Sequence, residues 1–277
     1  MFTTVLKYAG NKSRLMDVIR PHLGTWEGTR RYVEPFCGAL GSSLNAGIPD
    51  GIKIELSDAN KELVELYEEL RRAPEELEVL ANSYATDEDS YYEIRAWDRS
   101  PGWPYNKTKL ERAARTLYLN KRGFNGLYRI NNKGFFTAAW CKNPTPRRID
   151  VLSHKEFLSF LDKVHIKNRD WKTIVDECGE GDVVYCDPPY VNTKEPTKNF
   201  AGYIGEFGWS SQKELKDSLL NASSRGARVV ASNAWCKETV ELYDGFAMEE
   251  ITAHRSISAN GGSRGKISEL LAWLPRS

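Results

Sequence analysis

The feature that most constrains the fold is a βα rhythm that stops in the middle of the chain and then resumes. Leucines at helical spacing predict a helix over about 61–72, and a second helix is predicted over about 211–224. Apolar segments between turn residues predict the strands 31–36, 52–58, 163–166, 182–187, 227–232, 246–251 and 270–274. Strands that alternate with helices usually pair in parallel. We therefore predict an α/β fold with a mostly parallel sheet.

The interruption runs from about Pro74 to Asn168 and holds helical patterns, Gly and Pro loops and clustered aromatic residues. No strand pattern precedes 163–166 in this region. The chain therefore divides into two predicted units. A sheet domain is formed by 1–73 and 164–277, and an inserted, mainly helical subdomain is formed by 74–163.

The charges are segregated along the chain, although 39 Lys and Arg nearly balance 38 Asp and Glu. The stretch 62–93 holds eleven acidic residues and two basic ones, whereas 112–149 holds no acidic residue. A second acid-free stretch, 254–268, is also basic. The basic residues of 112–149 are Arg112, Arg115, Lys121, Arg122, Arg129, Lys133, Lys142, Arg147 and Arg148. Such runs are either solvated faces or phosphate-binding surfaces, and both interpretations stay open at this point.

The composition is typical of a globular protein, with 40% hydrophobic and 28% charged residues. No apolar run approaches the ~18 residues that a membrane span needs. The N-terminus lacks the apolar block of a signal peptide, which predicts a cytoplasmic protein. The five cysteines lie far apart, so neither a zinc site nor a disulfide framework is expected.

A glycine-rich turn, Cys37-Gly38-Ala39-Leu40-Gly41, follows the first predicted strand, and Asp58 ends the second. Glycines let a backbone approach a ligand closely, and a carboxylate at the next strand end can accept hydrogen bonds from ribose hydroxyls. The same pattern also suits an ordinary tight turn, with Asp58 as a helix cap.

The segment Asp187-Pro188-Pro189-Tyr190 is more specific, because it follows a buried strand and so lies at the carboxyl edge of the sheet. Its two prolines present carbonyls without N–H groups. The Asp187 carboxylate and the Pro188 carbonyl can both accept hydrogen bonds from a planar amino group, and Tyr190 can stack on the attached ring. This set favours methyl transfer to an exocyclic amine over a proline-stiffened turn.

Five ordered motifs resemble those of the Dam-type DNA adenine-N6 methyltransferases of the D12 class. They are Lys7-Tyr8-Ala9-Gly10-Asn11-Lys12, Glu34-Pro35-Phe36-Cys37-Gly38, Ser57-Asp58-Ala59-Asn60, Asp187-Pro188-Pro189-Tyr190 and Arg255-Ser256-Ile257-Ser258-Ala259-Asn260-Gly261-Gly262. Within the insertion, 120–131 is similar to the family's target-recognition hairpin. The resemblance covers nearly the whole chain.

The resemblance implies a Rossmann-like methyltransferase sheet with S-adenosylmethionine as the methyl donor. The implied catalytic residues are Asp187, Pro188 and Tyr190, and the implied cofactor residues are Tyr8, Lys12, Glu34, Phe36, Gly38, Asp58 and Asp187. The implied partner is double-stranded DNA, and 74–163 is the implied DNA-binding insertion. The implied DNA contacts are Lys7, Arg122, Phe124, Asn125, Leu127, Arg129, Asn131, Arg255, Asn260 and Arg264. Among these, Phe124 matches a wedge into the base stack, and Arg129 matches a guanine reader.

The chain departs from the family pattern at two places. Leu40 stands where many members have the second glycine of the cofactor turn, with Gly41 one step later, as in phage-type enzymes. The segment 135–142 lacks the usual Asn-Val-Pro pattern in a region that helps to read bases. GATC remains the expected target.

The implied activity is methylation of a flipped adenine by direct in-line attack on the methyl group, without a covalent enzyme intermediate or a metal. We expect a monomer in the bacterial cytoplasm, encoded by the host or by a phage, with a basic DNA-binding face and an acidic remainder. The open alternatives are methylation of cytosine N4, of an RNA base or of a glutamine side chain, and a DNA-binding regulator without activity. A nicotinamide dinucleotide is disfavoured because the turn lacks the GxGxxG spacing.

Overall fold

The fold is taken from a computed structural model that describes residues 1–8, 10–131, 133–142, 148–193, 195, 207–254 and 266–274. The strands are β1 (Arg31–Glu34), β2 (Lys53–Ser57), β3 (Val164–Lys167), β4 (Asp182–Cys186), β5 (Arg228–Ala234), β6 (Ala247–His254) and β7 (Lys266–Leu274). The α-helices are α1 (Met16–Leu23), α2 (Gly41–Asn45), α3 (Lys61–Arg72), α4 (Pro74–Ser83), α5 (Glu88–Arg95), α6 (Lys109–Arg122), α7 (Lys155–Lys163), α8 (Trp171–Asp176), α9 (Trp209–Ser224) and α10 (Lys237–Leu242). Short 3₁₀ helices cover Lys12–Leu15, Ala96–Arg99 and Phe124–Gly126.

The seven strands form one sheet in the order β3-β2-β1-β4-β5-β7-β6. The first five are parallel, and β7 runs antiparallel to β5 and β6. The order reverses between β1 and β4, as in Rossmann-like sheets, which bind ligands outside the carboxyl ends of the strands at that point. The predicted α/β fold with a mostly parallel sheet is confirmed.

Alternate residues of the central strands are buried on opposite faces of the sheet. Tyr32 and Tyr185 belong to a core shared with α3, whereas Val33 and Val184 belong to a second core shared with α9. Period-two alternation sends successive side chains to opposite faces, so a sheet covered by helices on both faces needs strands that are apolar throughout. This explains why Val183-Val184-Tyr185-Cys186 contains no polar position.

The helices of the insertion continue the first of these cores. Leu77 of α4 and Leu117 of α6 lie in the same buried cluster as Leu63 and Leu66 of α3. A separate smaller cluster lies under a hairpin formed by 123–140, where Tyr91, Tyr118 and Phe136 pack together with Ile94, Leu119 and Ala138. The boundary predicted at 73/74 therefore does not coincide with a break in the packing.

The expectation of separate acidic and basic faces is wrong for much of the two charge runs, because their residues pair with each other. Arg112 Nε lies 2.9 Å from Glu65 Oε2, and Arg148 Nη2 lies 3.3 Å from Glu78 Oε1. Arg115 is fully buried between α3 and the insertion. Glu65 lies on α3 and Arg112 on α6, and these helices pack together, so the opposite charges neutralise each other at a helix contact. Within the described part of 112–149, the exposed bases that form no ion pair with an acidic residue are Arg129, Lys133 and Lys142.

None of the described helices is both long and apolar enough to cross a bilayer.

Candidate active site

Three carboxylates that follow β1, β2 and β4 converge at the carboxyl edge of the sheet. The register pairs Glu34 with Leu56 across β1 and β2, so both strands end together. Glu34 ends β1, Asp58 follows β2, and Asp187 follows β4. This edge lies at the reversal of strand order, where the fold places a ligand.

Asp58 ties the glycine turn to the end of β2 and is not the cap of α3. Its Oδ2 accepts a hydrogen bond from the Gly38 N–H at 3.0 Å, and its Oδ1 accepts one from the Asn60 N–H at 2.8 Å. Asn60 is the residue that caps α3, through the Leu63 N–H at 3.1 Å. Burial raises the pKa of Asp58, and these two N–H donors oppose the rise. The capping alternative for Asp58 therefore does not hold.

The glycine turn packs tightly against the N-terminal segment. Gly38 has a φ of +46°, and a Cβ there would lie 3.2 Å from the Tyr8 ring. A Cβ on Gly41 would overlap the side chains of Asn11 and Ser13. Leu40 adopts the left-handed region at φ 62°, and its side chain is fully buried. The shifted glycine thus stands where no side chain fits, and Leu40 tolerates a strained backbone because it fills the core.

Glu34 is a buried carboxyl group held by two hydroxyl groups. The Tyr32 hydroxyl donates to its Oε2 at 2.9 Å, and the Ser42 hydroxyl donates to its Oε1. Burial raises the pKa of Glu34 to about 8, against the effect of these donors. Glu34 is therefore mostly uncharged at neutral pH.

A second buried cluster surrounds Asp187. The Lys12 ammonium, which is 4% exposed, lies 3.2 Å from Asp187 Oδ1 and 3.6 Å from Glu269 Oε2. The Tyr190 hydroxyl donates to Glu269 Oε2 at 2.9 Å, and Lys12 Nζ lies 4.6 Å from the centre of the Tyr190 ring. Burial raises the pKa of Asp187 to about 6, Lys12 lowers it, and Glu269 raises it. One cation thus joins two carboxylates beside an aromatic face.

Two buried amides hold the loop that carries these groups. Gln212 of α9 donates from Nε2 to the Pro189 carbonyl at 2.8 Å and accepts from Asn233 Nδ2 of β5 at 2.9 Å. The Pro188 side chain is buried beside them. Because proline lacks an N–H group, the loop is fixed through its carbonyls.

Phe36 lies in an aromatic group at the same edge. Its ring stacks on Trp171 with centroids 6.1 Å apart and meets Phe207 edge-on at 5.4 Å. Half-buried aromatic faces of this kind suit a planar ligand.

The 123–140 hairpin carries a half-exposed aromatic ring in its first turn, beside the bridge between Gly123 and Trp140. Phe124 is 38% exposed, and the following Asn125 and Gly126 have φ of +56° and +63°. Leu127 is half-buried, and the Arg129 side chain is exposed while its carbonyl accepts from the Thr137 N–H at 2.7 Å. Asn131 Oδ1 accepts from the N–H groups of Lys133 and Phe135, so its carbonyl oxygen stabilises the hairpin turn.

The N-terminal segment is fastened to this hairpin by Asn120. The Lys7 N–H donates to Asn120 Oδ1 at 3.0 Å, and Asn120 Nδ2 donates back to the Lys7 carbonyl at 2.6 Å. A Cβ on Gly126 would overlap Lys7, so the two backbones touch. Lys7 therefore lies between the cofactor turn and the Phe124–Gly126 turn of the hairpin.

Arg122 does not fit the surface contact implied for it. Its side chain is 1% exposed, and burial lowers the pKa of its guanidinium. The neighbouring Lys121 is also buried and donates to the Val5 carbonyl, and burial lowers its pKa to about 8. The Lys121 side chain points into the protein because the N-terminal segment covers α6 at that position. Arg255, Asn260 and Arg264 lie outside the described residues.

Glu269, Gln212 and Asn233 form part of the site but were not among the residues inferred from the sequence. The signal that could have found them is a polar residue directly beside the apolar run of a strand, or on a helix face that turns toward the core. Asn233 follows Val229-Val230-Ala231-Ser232 in its strand, and Glu269 precedes Leu270-Leu271-Ala272.

Several curated proteins and a family model are similar to this sequence. Residues 8–257 match the model described as D12 class N6 adenine-specific DNA methyltransferase. Type II methyltransferase M1.LlaDCHI of Lactococcus lactis subsp. cremoris is 33% identical over 271 residues, with 96% of this chain and 93% of that protein covered. The DNA adenine methylase of Escherichia coli strain K12 is 32% identical over 277 residues, with 96% and 93% covered. The DNA N-6-adenine-methyltransferase of Escherichia phage P1 is 33% identical over 98% of this chain, which spans 35% of that longer protein.

Proposed function

Because the chain belongs to the D12 class of N6 adenine-specific DNA methyltransferases, we propose that it transfers the methyl group of S-adenosylmethionine to N6 of a flipped adenine in duplex DNA, within GATC. The observation that carries the proposal is the cluster at the end of β4. Asp187 is placed there beside Lys12 and the Tyr190 ring, at the edge where the Asp58 loop also ends. An acceptor, an aromatic face and a cofactor loop are thus side by side.

The residues at this edge fit S-adenosylmethionine. The Asp58 carboxylate uses two of its roughly four acceptor positions within the protein, which leaves two for ribose hydroxyls. The Gly38 backbone has no side chain to hold a ligand away, and Phe36 offers an aromatic face. Lys12, Tyr8 and Glu34 line the same edge. When bound, the cofactor supplies an electrophilic methyl group on a sulfonium centre.

Asp187 is suited to accept a hydrogen bond from the target amine. Its pKa of about 6 leaves it ionised at neutral pH. Its side chain is 17% exposed and its buried Oδ1 makes the ion-pair contact with Lys12, so the carboxylate retains an oxygen that can accept a hydrogen bond from a ligand. A hydrogen bond from N6 directs the nitrogen lone pair out of the ring plane and stabilises the positive charge that develops on nitrogen. The Pro188 carbonyl is the second acceptor in this proposal, and Tyr190 is the stacking face.

The 123–140 hairpin supplies the proposed DNA contacts. Phe124, exposed in the first turn of the hairpin, is suited to enter the base stack and stabilise a flipped nucleotide. Arg129 is exposed on the same hairpin, and a guanidinium can contact guanine O6 and N7 together. Lys7, Asn125, Leu127 and Asn131 complete this face, and Arg255, Asn260 and Arg264 are proposed as contacts from 254–268. We assign the catalytic unit to 1–73 and 164–277, and the DNA-binding unit to 74–163.

The proposed enzyme acts as a monomer, because one chain carries both the methyl-transfer residues and the hairpin. Its proposed substrate places it in the cytoplasm of a bacterium, as a host or phage protein.

The test is the isosteric substitution Asp187→Asn, with incorporation of tritiated methyl groups into duplex DNA as the measurement. We expect kcat to fall by about 10²- to 10³-fold, because the charged acceptor is lost. Asp50→Asn, the same change at an exposed position, is the control and should retain native activity. Native activity in Asp187→Asn would refute the assignment, and failure of the native protein to bind S-adenosylmethionine by calorimetry would refute the enzyme itself. Sequencing of DNA from expressing cells would report the modified base and its context.

A further inference from the structure

A buried ion network lies directly beneath the 123–140 hairpin. At its centre is Arg115 of α6, whose side chain is fully buried. Its Nη2 lies 3.0 Å from Asp98 Oδ2, and its Nη1 lies 3.4 Å from Glu62 Oε1. The remaining donors of Arg115 are used by the carbonyls of Ile94 and Arg95. The guanidinium therefore connects α3, α5 and the 3₁₀ helix that carries Asp98.

The two carboxylates of this network each hold a different strand of the hairpin. The Tyr128 hydroxyl donates to Glu62 Oε2 at 3.2 Å. On the other strand, the Phe136 N–H donates to Asp98 Oδ2 at 2.7 Å. The rings of Tyr128 and Phe136 also meet edge-on, with centroids 5.5 Å apart. The hairpin is thus fixed at both strands by one set of charges.

The Glu62 end of the network is close in sequence and space to the cofactor loop. Glu62 is in the first turn of α3, two residues after the Asn60 cap. The N–H group of Asn60 donates to Asp58 Oδ1 at 2.8 Å. A short chain of contacts therefore runs from Asp58 through Glu62 to Tyr128, the residue directly before Arg129.

Stability alone does not explain these charges. A buried ion pair can often be replaced by apolar residues at no cost in stability, because desolvation offsets the attraction. Burial raises the pKa of Glu62, and Arg115 opposes the rise. Hydrogen bonds to charged groups also add geometric specificity, because they hold the groups that they join in one arrangement.

We propose that Tyr128 and Glu62 are positioning residues for base discrimination, which fix the strand bearing Arg129 relative to the Asp58 loop. The inference rests on the proposed function, because it takes Arg129 as a residue that reads a base. Neither Tyr128 nor Glu62 touches DNA or cofactor in this proposal, and both act through Arg129.

The experiment compares kcat/KM for a duplex containing GATC with kcat/KM for duplexes changed at one base pair. In Tyr128→Phe, which removes only the hydroxyl, we expect this ratio to fall about tenfold, because a hydrogen bond to a charged group is lost. The matched control is Tyr105→Phe, the same change at a tyrosine that is 91% exposed. Glu62→Gln should lower the ratio in the same direction. Unfolding temperature is measured for every variant.

A double-substitution cycle separates positioning from general damage. If Tyr128 acts through Arg129, adding Tyr128→Phe to Arg129→Ala should lower the ratio no further. A Tyr128→Phe ratio within twofold of the native ratio would overturn the inference, as would an additional loss in the Arg129→Ala background. A native protein that methylates no duplex would overturn the proposed function as well, so the two failures are distinguishable.

Discussion

The sheet edge and the 123–140 hairpin hold their proposed functional groups in opposite ways. At the edge, Lys12, Asp187 and Glu269 are buried or nearly so and contact one another. On the hairpin, Phe124 and Arg129 are exposed, and contacts beneath the hairpin fix the backbone that carries them. Groups that act on a bound amine gain from exclusion of water, whereas groups that meet a duplex must reach beyond the protein surface. Substitutions at the edge should therefore change stability or proton binding, and substitutions of Phe124 or Arg129 should change activity more than stability.

Phe124→Ala is expected to have the largest effect and tests the hairpin side of this comparison. Without the wedge, the flipped state loses about a few kcal/mol, and kcat/KM on duplex DNA should fall about a hundredfold. The free energy of unfolding should change no more than in Leu152→Ala, the control, because both side chains are 38% exposed. An unfolding temperature clearly below that of Leu152→Ala would show that the Phe124 ring belongs to the core.

Leu40→Gly tests the sheet edge, where we expect a substitution to change stability. Glycine relieves a left-handed backbone by about 1–2 kcal/mol, but removal of a fully buried leucine costs about 3–5 kcal/mol. The second effect is larger, so the free energy of unfolding should fall by about 2–3 kcal/mol. Urea unfolding measures it. An unchanged or higher value would mean that strain outweighs packing at this turn.

Glu269→Gln sharpens the comparison through pH. Burial raises the pKa of Asp187 to about 6; of the groups that face it, Lys12 and Tyr190 lower this pKa and Glu269 raises it. Removal of the negative charge should lower that pKa, because ionised Asp187 is then repelled less. Activity that depends on ionised Asp187 is present above the pKa and lost below it, so the acid limb of kcat/KM should move to lower pH. Glu250→Gln, at an exposed glutamate of β6, should leave the limb in place. If the acid limb does not move in Glu269→Gln, the limb does not report the ionisation of Asp187.

The smallest expected effect concerns salt. Because many bases of 112–149 face acids or the interior, the DNA affinity should depend on salt less steeply than the nine bases of that run suggest. If exposed Lys133 contacts a phosphate, Lys133→Ala should reduce the slope of log K against log salt by about 0.9. Arg148→Ala, at a residue paired with Glu78, should change it less. Equal slopes in all three proteins would exclude Lys133 from the interface.

The sequence predicted the strands and a mostly parallel sheet well, because apolar segments between turn residues mark strand positions almost without context. It also indicated the Asp187 loop, since the four residues follow a strand whose burial is visible in its composition. It could mark Glu269 as unusual but could not place it at the site, because Glu269 lies far along the chain and arrives there through β7, which runs antiparallel to β5 with Glu269 opposite Ala234. The charge runs were misleading for the same reason. Sequence shows which charges are adjacent along a helix, but Arg112 meets Glu65 only through the packing of α6 on α3.

The core shared by Leu77, Leu117 and Leu63 sets how recognition can be altered by engineering or divergence. A transplant of the whole insertion would carry half of a packed interface into a host that lacks the other half. A transplant of the 123–140 hairpin would leave that core intact, with Tyr128, Phe136 and Ala138 among its attachment points. The exchangeable unit of specificity is thus a short hairpin with its anchoring residues, and the helices around it are inherited with the sheet.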